Sequence, residues 1–266
     1  LALSNSGAMH MIEQEEERLK ADISAFVPAY NEEENIRRVI DDLVSVLREI
    51  ANRYEIIVVL YEGSTDATGR IVREYAMRNP AIRLVIQPAD QKGYGVALRM
   101  GIESSRYDLI FYTDADNQYN VRDIKKLLAE IEKADIVNGH RVIRCDPKMR
   151  LLTAVVYNWI IRKLFDTGVK DVDCAFKLYR KSLLDSIRVN CRTGLADTEI
   201  LAKARKLGAR IIEVPVSHYP RKGGRPVFEA SLAGKMGLVK PRVVIDLIKE
   251  MMKLKREFRS TLVSNG

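Results

Sequence analysis

Two acidic triplets, Asp114-Ala115-Asp116 and Asp171-Val172-Asp173, are the residues of this sequence best suited to chemistry on a charged ligand. At this abundance of aspartate a D-x-D triplet arises about once by chance, so spacing alone decides nothing. Position separates the two. The first ends the strongly apolar run Leu109-Ile110-Phe111-Tyr112, where placing two carboxylates costs free energy unless a cation compensates them. A hard divalent ion, Mg²⁺ or Mn²⁺, suits the pair, since Mg²⁺ takes one or two carboxylates and completes its shell with water and substrate phosphate. Such an ion neutralises charge on a departing diphosphate. Gln118 offers a further oxygen ligand, direct or through water; a solvated turn with a surface glutamine is the alternative.

These residues need a scaffold, and from Ile23 the chain alternates short apolar runs with amphipathic segments, the pattern of a βαβ domain. The run 23–28 reads as a buried strand, after which Asn31 and Glu34 predict a capping box. Ile36, Val39, Ile40, Leu43, Val46, Leu47 and Ile50 then repeat at helical spacing. Further strands are predicted over 55–60, 82–86, 109–113 and 211–215, with helices over 197–207 and 241–258; the regular alternation weakens after 135–139, where an apolar-basic segment is followed by 175–179. A parallel sheet places ligands beyond the carboxyl ends of its strands, so the turns after Pro28, Leu60, Ile86 and Thr113 are expected on one edge. Gly93-Tyr94-Gly95, opening a helix, brings backbone N–H groups toward a phosphate there. The fold class is α/β, a mostly parallel sheet flanked by helices with an extension in the second half.

Composition narrows the function classes. Hydrophobic residues make up 47% and charged residues 30% of 266, ordinary values for one folded domain. The net charge of +8 admits an anionic partner or a solubilising surface, and no nucleic-acid motif accompanies it. Cys145, Cys174 and Cys191 have no metal-type spacing and do not pair evenly, which points to an intracellular, cytoplasmic protein. No run of about 18 apolar residues spans a bilayer. Leu1 to His10 carry neither a basic n-region nor an apolar core, so they are not a signal peptide and read as an expression remnant. Neither G-x-G-x-x-G after the first strand nor G-x-x-x-x-G-K-[ST] occurs, and the three histidines lie in no nucleophile elbow. Dinucleotide oxidoreductase, P-loop NTPase and serine hydrolase all lose support.

Five segments occur in an order that resembles family 2 glycosyltransferases, and their polyprenyl-phosphate branch in particular: Val27-Pro28-Ala29-Tyr30-Asn31-Glu32, Gly63-Ser64-Thr65-Asp66, Lys92-Gly93-Tyr94-Gly95, Asp114-Ala115-Asp116-Asn117-Gln118 and Asp171-Val172-Asp173-Cys174-Ala175-Phe176-Lys177. The resemblance covers roughly residues 23–228. It implies a GT-A fold, a nucleotide-sugar donor and inversion at the anomeric carbon. By position, Pro28, Tyr30 and Glu32 line the nucleoside pocket, with Glu32 on the ribose, and Lys92 and Gly93 join them. The turn after the second strand meets the base, and here Tyr61-Glu62 replaces the usual paired aspartates, leaving the base open with Glu62 as one contact. Asp114, Ala115 and Asp116 hold the diphosphate, with Asp114, Asp116 and Gln118 on the metal. Arg141, Arg150 and Arg221 fall where relatives hold an acceptor phosphate; alternatively Arg141 pairs with a carboxylate, Arg150 snorkels from a helix and Arg221 is a solvated loop charge.

The acceptor decides what else is required. A sugar hydroxyl must lose a proton as it attacks, whereas a lipid phosphate is already anionic. With a phosphate acceptor, Asp171 or Asp197 positions the acceptor or the sugar, or Asp171 is a turn residue before a strand. The expectation is hexosyl transfer from a nucleoside-diphosphate sugar to a polyprenyl phosphate, with a soluble acceptor such as phosphoglycerate or a glycan, or a non-catalytic nucleotide-binding module, as the rivals. The segment 149–165 places Leu152, Val155, Val156, Trp159, Ile160 and Leu164 on one broad face flanked by Arg150, Arg162 and Lys163, which suits a membrane interface, a core helix or a dimer contact. The domain reading is 1–20 as an N-terminal segment, 21–228 as the catalytic domain and 229–266 as an amphipathic helical tail.

Overall fold

The computed structural model describes residues 21–142, 159–221, 223–224 and 241–263. Residues 1–20, Arg150 and the 149–158 portion of the apolar-basic segment lie outside them. Seven strands form one sheet: β1 (Ala21–Ala29), β2 (Ala51–Tyr61), β3 (Ile82–Gln87), β4 (Leu109–Thr113), β5 (Ile136–Arg141), β6 (Phe176–Arg180) and β7 (Ile211–Val216), in the order β3-β2-β1-β4-β6-β5-β7. β1, β2, β3 and β4 run parallel, as do β5 and β7, while β6 is antiparallel to both β4 and β5. Because β6 runs the other way, the turn before it joins the carboxyl ends of β4 and β5 on the same edge.

The helices that frame the sheet include α1 (Ile36–Ile50), α2 (Thr68–Arg78), α3 (Tyr94–Ser104), α4 (Ile124–Glu130), α5 (Leu195–Lys206) and α6 (Pro241–Val263). Ile36, Val39, Ile40, Leu43, Val46, Leu47 and Ile50 of α1 are all buried, each contributing about 1.5–3 kcal/mol by leaving water. Every residue of β4 is buried, as expected for a central strand covered on both faces. Polar groups at the amino edge of the sheet are matched within the protein. Glu55 there accepts from Ser24 Oγ at 2.7 Å, the Arg106 N–H at 2.8 Å and Arg83 Nε at 2.9 Å.

The start of α1 differs from the expected capping box. The helix begins at Ile36 with Asn35 at the cap, and Asn31 sits in the left-handed region at φ 54°, a conformation asparagine tolerates. Its Oδ1 accepts from the Thr65 N–H at 2.8 Å, while the Glu32 N–H donates to Thr68 Oγ1 at 2.8 Å and the Glu33 N–H to Asp66 Oδ2 at 3.0 Å. The two turns after β1 and β2 are therefore stitched together. A local cap was the sequence reading; a bond between turns is what the fold uses.

Candidate active site

β1 and β4 are neighbours whose chains depart to opposite sides, the switch point at which an open α/β sheet leaves a crevice beyond its carboxyl edge. Tyr30 to Glu32 leave one lip and Asp114 to Asp116 the other. Asn117 turns the chain at φ 58°, and the Gln118 N–H donates to Asp116 Oδ1 at 3.2 Å, so Asp116 is oriented by its own turn. The Gln118 amide donates to the Tyr219 carbonyl at 2.9 Å, and the Tyr219 N–H returns to the Gln118 carbonyl at 2.7 Å. The chain leaving β7 is thereby laid along 118–120 and delivers Arg221 to Asp116.

Asp114 and Asp116 follow β4 and are both partly open to solvent. Tyr94 Oη donates to Asp114 Oδ1 at 3.1 Å and also bonds the Tyr112 hydroxyl. Burial first, and then the charge of Asp116, pushes Asp114 up to about 8. A carboxyl so raised signals negative charge in want of a cation. The described residues hold no cluster of three or more His, Cys, Asp or Glu arranged for a metal. Two oxygen-bearing carboxylates with an amide beside them nevertheless fit an ion that takes its remaining ligands from phosphate and water.

Deeper in, Lys177 of β6 is buried and donates to Asp197 Oδ1 and the Cys174 carbonyl, each at 2.6 Å. Burial raises Asp197, against the opposing effect of Lys177. Asp173 is raised to about 7, by burial first and Asp197 next, with Arg141 and Lys177 working against both. A carboxyl with a raised folded pKa favours the native state below its ordinary value near 4, and that contribution is lost as pH climbs through about 7. Replacing Asp173 with Asn is therefore expected to stabilise most at pH 8 and hardly at all at pH 4. The ceiling is about 4 kcal/mol, reduced because the side chain is partly exposed. Urea denaturation at both pH values checks this; an equal shift at the two would refute it.

Arg141 ends β5. Its Nε and Nη2 donate to the two Asp171 oxygens at 2.7 and 2.6 Å, and its backbone N–H adds a bond to Oδ2 at 3.2 Å. The Asp171 turn is in turn pinned by Glu213 Oε1, which accepts from the Lys170 N–H at 2.9 Å and the Asp171 N–H at 3.2 Å. Burial opposes the charge of Arg141, but the Asp171 fork more than offsets it and holds the guanidinium well above its ordinary range.

At the β2 side of the crevice, the rings of Tyr30 and Tyr61 meet at 5.6 Å, with Lys92 Nζ 5.9 and 5.6 Å from their respective centres. Pro28 precedes Tyr30 by two residues, in β1. Glu62 stands aside from this trio, its Oε2 accepting from the Ala89 N–H at 2.9 Å. The Gly93-Tyr94-Gly95 turn is also differently employed from the phosphate cradle expected. The Gly95 N–H donates to the Arg192 carbonyl at 3.0 Å, and a Cβ on Gly93 or Gly95 would come within 2.4 Å of the Arg192 carbonyl oxygen or 2.2 Å of that of Cys191. These glycines admit the backbone that leads into α5.

The structure thus groups the expected site residues into four neighbouring sets: Tyr30 with Lys92, Glu32 with Arg221 and Asp116, Asp114 with Tyr94, and Arg141 with Asp171. Arg141 and Arg221 pair with different carboxylates, Asp171 and Glu32. Tyr61, Tyr94 and Lys177 entered the sequence reading as parts of motifs without a role of their own. Lys177 carried a signal, a lysine in an otherwise apolar strand.

Comparison with known proteins agrees with the fold. The profile described as glycosyl transferase family 2 matches residues 24–188. A dolichyl-phosphate β-glucosyltransferase of Trichomonas vaginalis is 31% identical over 211 residues, covering 73% of this chain and 64% of the relative, so the match spans less than two thirds of that protein. A dodecaprenyl-phosphate galacturonate synthase of Rhizobium johnstonii is 26% identical over 246 residues, covering 90% of this chain and 69% of the relative. Glucosyl-3-phosphoglycerate synthase of Mycobacterium tuberculosis superposes with a TM-score of 0.62 at 22% identity, over 82% of this chain and 80% of that one. The same enzyme has been crystallised with Mn²⁺, UDP and glucosyl-3-phosphoglycerate. At that identity the likeness is one of fold, the GT-A fold. With the family profile covering more than half of it, the chain belongs to glycosyl transferase family 2.

Proposed function

We propose that this chain is an inverting hexosyltransferase that moves a sugar from a nucleoside-diphosphate donor to a polyprenyl phosphate. The observation that carries the reading is the Arg141–Asp171 fork on the wall beside the Asp114-Ala115-Asp116 triplet. Asp171 engages one N–H of Nε and one of Nη2, and an acceptor phosphate would take the remaining guanidinium N–H groups of a side chain that is 9% exposed. Fixed in this way, Arg141 grips a phosphate with geometric definition a free lysine lacks. An anionic acceptor needs no proton removed before it attacks, so Asp171 serves as a positioning residue and not as a base. On the donor side, Tyr30, Tyr61 and Lys92 offer aromatic faces and a cation to the nucleoside, above Pro28, with Glu62 and Gly93 at the rim. Asp114, Asp116 and Gln118 are the residues that would hold Mg²⁺ or Mn²⁺; bound there, the ion neutralises charge on the departing diphosphate.

The outer face of α6 supports a membrane-side acceptor. Ile245, Ile248 and Met252 are 48%, 48% and 49% exposed along one stripe, flanked by exposed Lys249, Lys255 and Arg256. Two of its acidic residues turn inward: Glu250 accepts from Arg192 N–H and Thr193 Oγ1, and Glu257 pairs with Lys203. Asp246 is the exposed exception. Beside α6, through the Phe165–Phe258 ring contact, the helical stretch 159–165 leaves Trp159 56% exposed. Apolar residues ringed by cations suit an anionic bilayer surface. No helix among the described residues is long and apolar enough to cross a membrane.

Incubation with labelled nucleotide sugars, Mn²⁺ and polyprenyl phosphate should move label into an organic extract, labile to mild acid. The second reading, a soluble phosphorylated acceptor, is favoured by the fold shared with the phosphoglycerate enzyme. Label that stays in water with phosphoglycerate would select it. Hydrolysis and transfer both absent across uridine, guanosine and adenosine donors would leave a nucleotide-binding module.

A further inference from the structure

Lys249, Lys253, Lys255 and Arg256 of α6 are exposed, but Glu250 lies in the inner stripe of that helix. Leu247, Met251 and Leu254 stand at helical spacing around it and pack against the core, Leu254 with 1% of its surface exposed. A carboxylate in such a stripe needs partners. Glu250 finds them in the turn just ahead of α5. Its Oε1 accepts from the Arg192 N–H at 2.9 Å, and its Oε2 from the Thr193 N–H at 3.2 Å and from Thr193 Oγ1 at 2.7 Å. The start of a helix carries the positive end of its dipole, so a carboxylate is favourable there, and α6 supplies it to α5.

The same turn holds the donor side of the crevice. The Arg192 carbonyl accepts from the Gly95 N–H at 3.0 Å, at the start of α3, and Arg192 Nη2 donates to the carbonyls of Asp90 and Lys92 at 3.3 Å each. The Gln87 amide secures that stretch from β3, donating to the Gln91 and Gly93 carbonyls at 2.7 and 2.9 Å. A Cβ on Gly93 would fall 2.4 Å from the Arg192 carbonyl oxygen, so the two backbones meet with no room for a side chain between them. Segment 90–95 carries two side chains of the site. Lys92 Nζ stands 5.9 and 5.6 Å from the ring centres of Tyr30 and Tyr61, and Tyr94 Oη donates to Asp114 Oδ1 at 3.1 Å. A shift of the 192–193 turn therefore moves a wall of the crevice together with a partner of the acidic triplet.

We propose that Glu250 is a positioning residue for the donor pocket, acting through the 192–193 turn on Lys92 and Tyr94. The proposal rests on the reading of the chain as a nucleotide-sugar transferase. Glu250 fixes the backbone of 192–193, Arg192 fixes that of 90–92, and the two links act in series. The crevice is thereby ordered before the donor arrives, which removes from binding the free-energy cost of ordering those side chains. The other end of α6 is held in a different way. Glu257 pairs with Lys203 at 2.8 Å, and Lys206 Nζ donates to the Phe258 carbonyl at 2.8 Å, both toward the far end of α5 from the 192–193 turn.

Calorimetric titration with UDP and GDP, each with Mn²⁺, tests this. Glu250→Ala is expected to weaken binding of the preferred diphosphate by about 3- to 30-fold, and Arg192→Ala to do the same. Glu250→Gln keeps one acceptor oxygen toward the turn and disturbs the packing least, so it should fall between wild type and Glu250→Ala. Because the links act in series, Glu250→Ala combined with Arg192→Ala should bind no more weakly than the weaker single variant. In turnover the KM for the donor should rise while that for the acceptor holds, a split that a general loosening of α6 would not produce. Glu257→Gln, which loosens the same helix at its other end, should keep diphosphate affinity within about twofold of wild type. Affinity that close to wild type in either alanine variant would overturn the proposal. So would losses that add fully in the double variant, equal rises in both KM values, or a loss in Glu257→Gln as large as in Glu250→Gln. A wild-type chain that binds neither diphosphate would instead overturn the transferase reading itself, and this proposal with it.

Discussion

Asp116→Asn is expected to lower Mn²⁺-dependent binding of a nucleoside diphosphate, and turnover with it, by more than about 100-fold. Loss of a partner that merely orients a metal ligand already costs about 10- to 100-fold, and on the proposed reading the substitution removes a charged ligand itself. The turn should survive. Asn still presents an oxygen to the Gln118 N–H that Asp116 accepts at 3.2 Å, and asparagine is at ease in the turn conformations next to Asn117. Arg221 stays anchored, because its short contacts are to Glu32 and the Gly223 carbonyl, with Asp116 farther off at 3.6 Å. A melting temperature close to wild type together with lost nucleotide binding is thus the expected pair of results. Titration of UDP and GDP with Mn²⁺, run beside thermal unfolding, reads both. Undiminished binding in this variant and in Asp114→Asn would remove the metal from the triplet.

What the sequence made legible was set by period and by position along strands. The apolar run ending at Thr113 reads as a buried strand, and the structure has it buried along its whole length with Asp114 directly after it. The helix 36–50 was equally plain from its repeat of buried residues. Pairings across the chain were not legible. Glu32 and Arg221 stand 189 residues apart, and nothing local to either specifies the other. Asn31 shows the same limit at shorter range, since a cap and a bond to the turn at Thr65 call for the same residue type. The reversal of β6 was hidden as well, for a buried strand reads alike in either direction. That reversal brings Asp171 beside Arg141, and it puts Lys177 in the interior behind Asp114.

Lys177→Met is expected to cost about 3–5 kcal/mol of stability, the largest single effect among these substitutions. Lys177 has no exposed surface, and its ammonium bonds Asp197 Oδ1 and the Cys174 carbonyl at 2.6 Å each, with the Tyr112 ring 5.5 Å away. Its charge also opposes the raised state of Asp173 and of Asp114. Removing it leaves Asp197 in the interior with no cation bonded to it and lets neighbouring carboxylates repel one another through a medium that screens them poorly. The pair is not thereby a net source of stability, because taking both charges from water has a cost that their attraction only partly offsets. Lys177→Met combined with Asp197→Leu should accordingly be much closer to wild type than Lys177→Met alone, a coupling of a few kcal/mol measured by a double-mutant cycle in urea. Function should part company with stability in that double variant. With the cation gone from behind Asp114, the acidic triplet loses an interior counter-charge, and Mn²⁺-dependent nucleotide affinity should change although the fold is restored. Single and double variants of equal stability would show that the two residues do not act as a pair. A double variant with wild-type nucleotide affinity would show that the buried ion pair serves the fold alone.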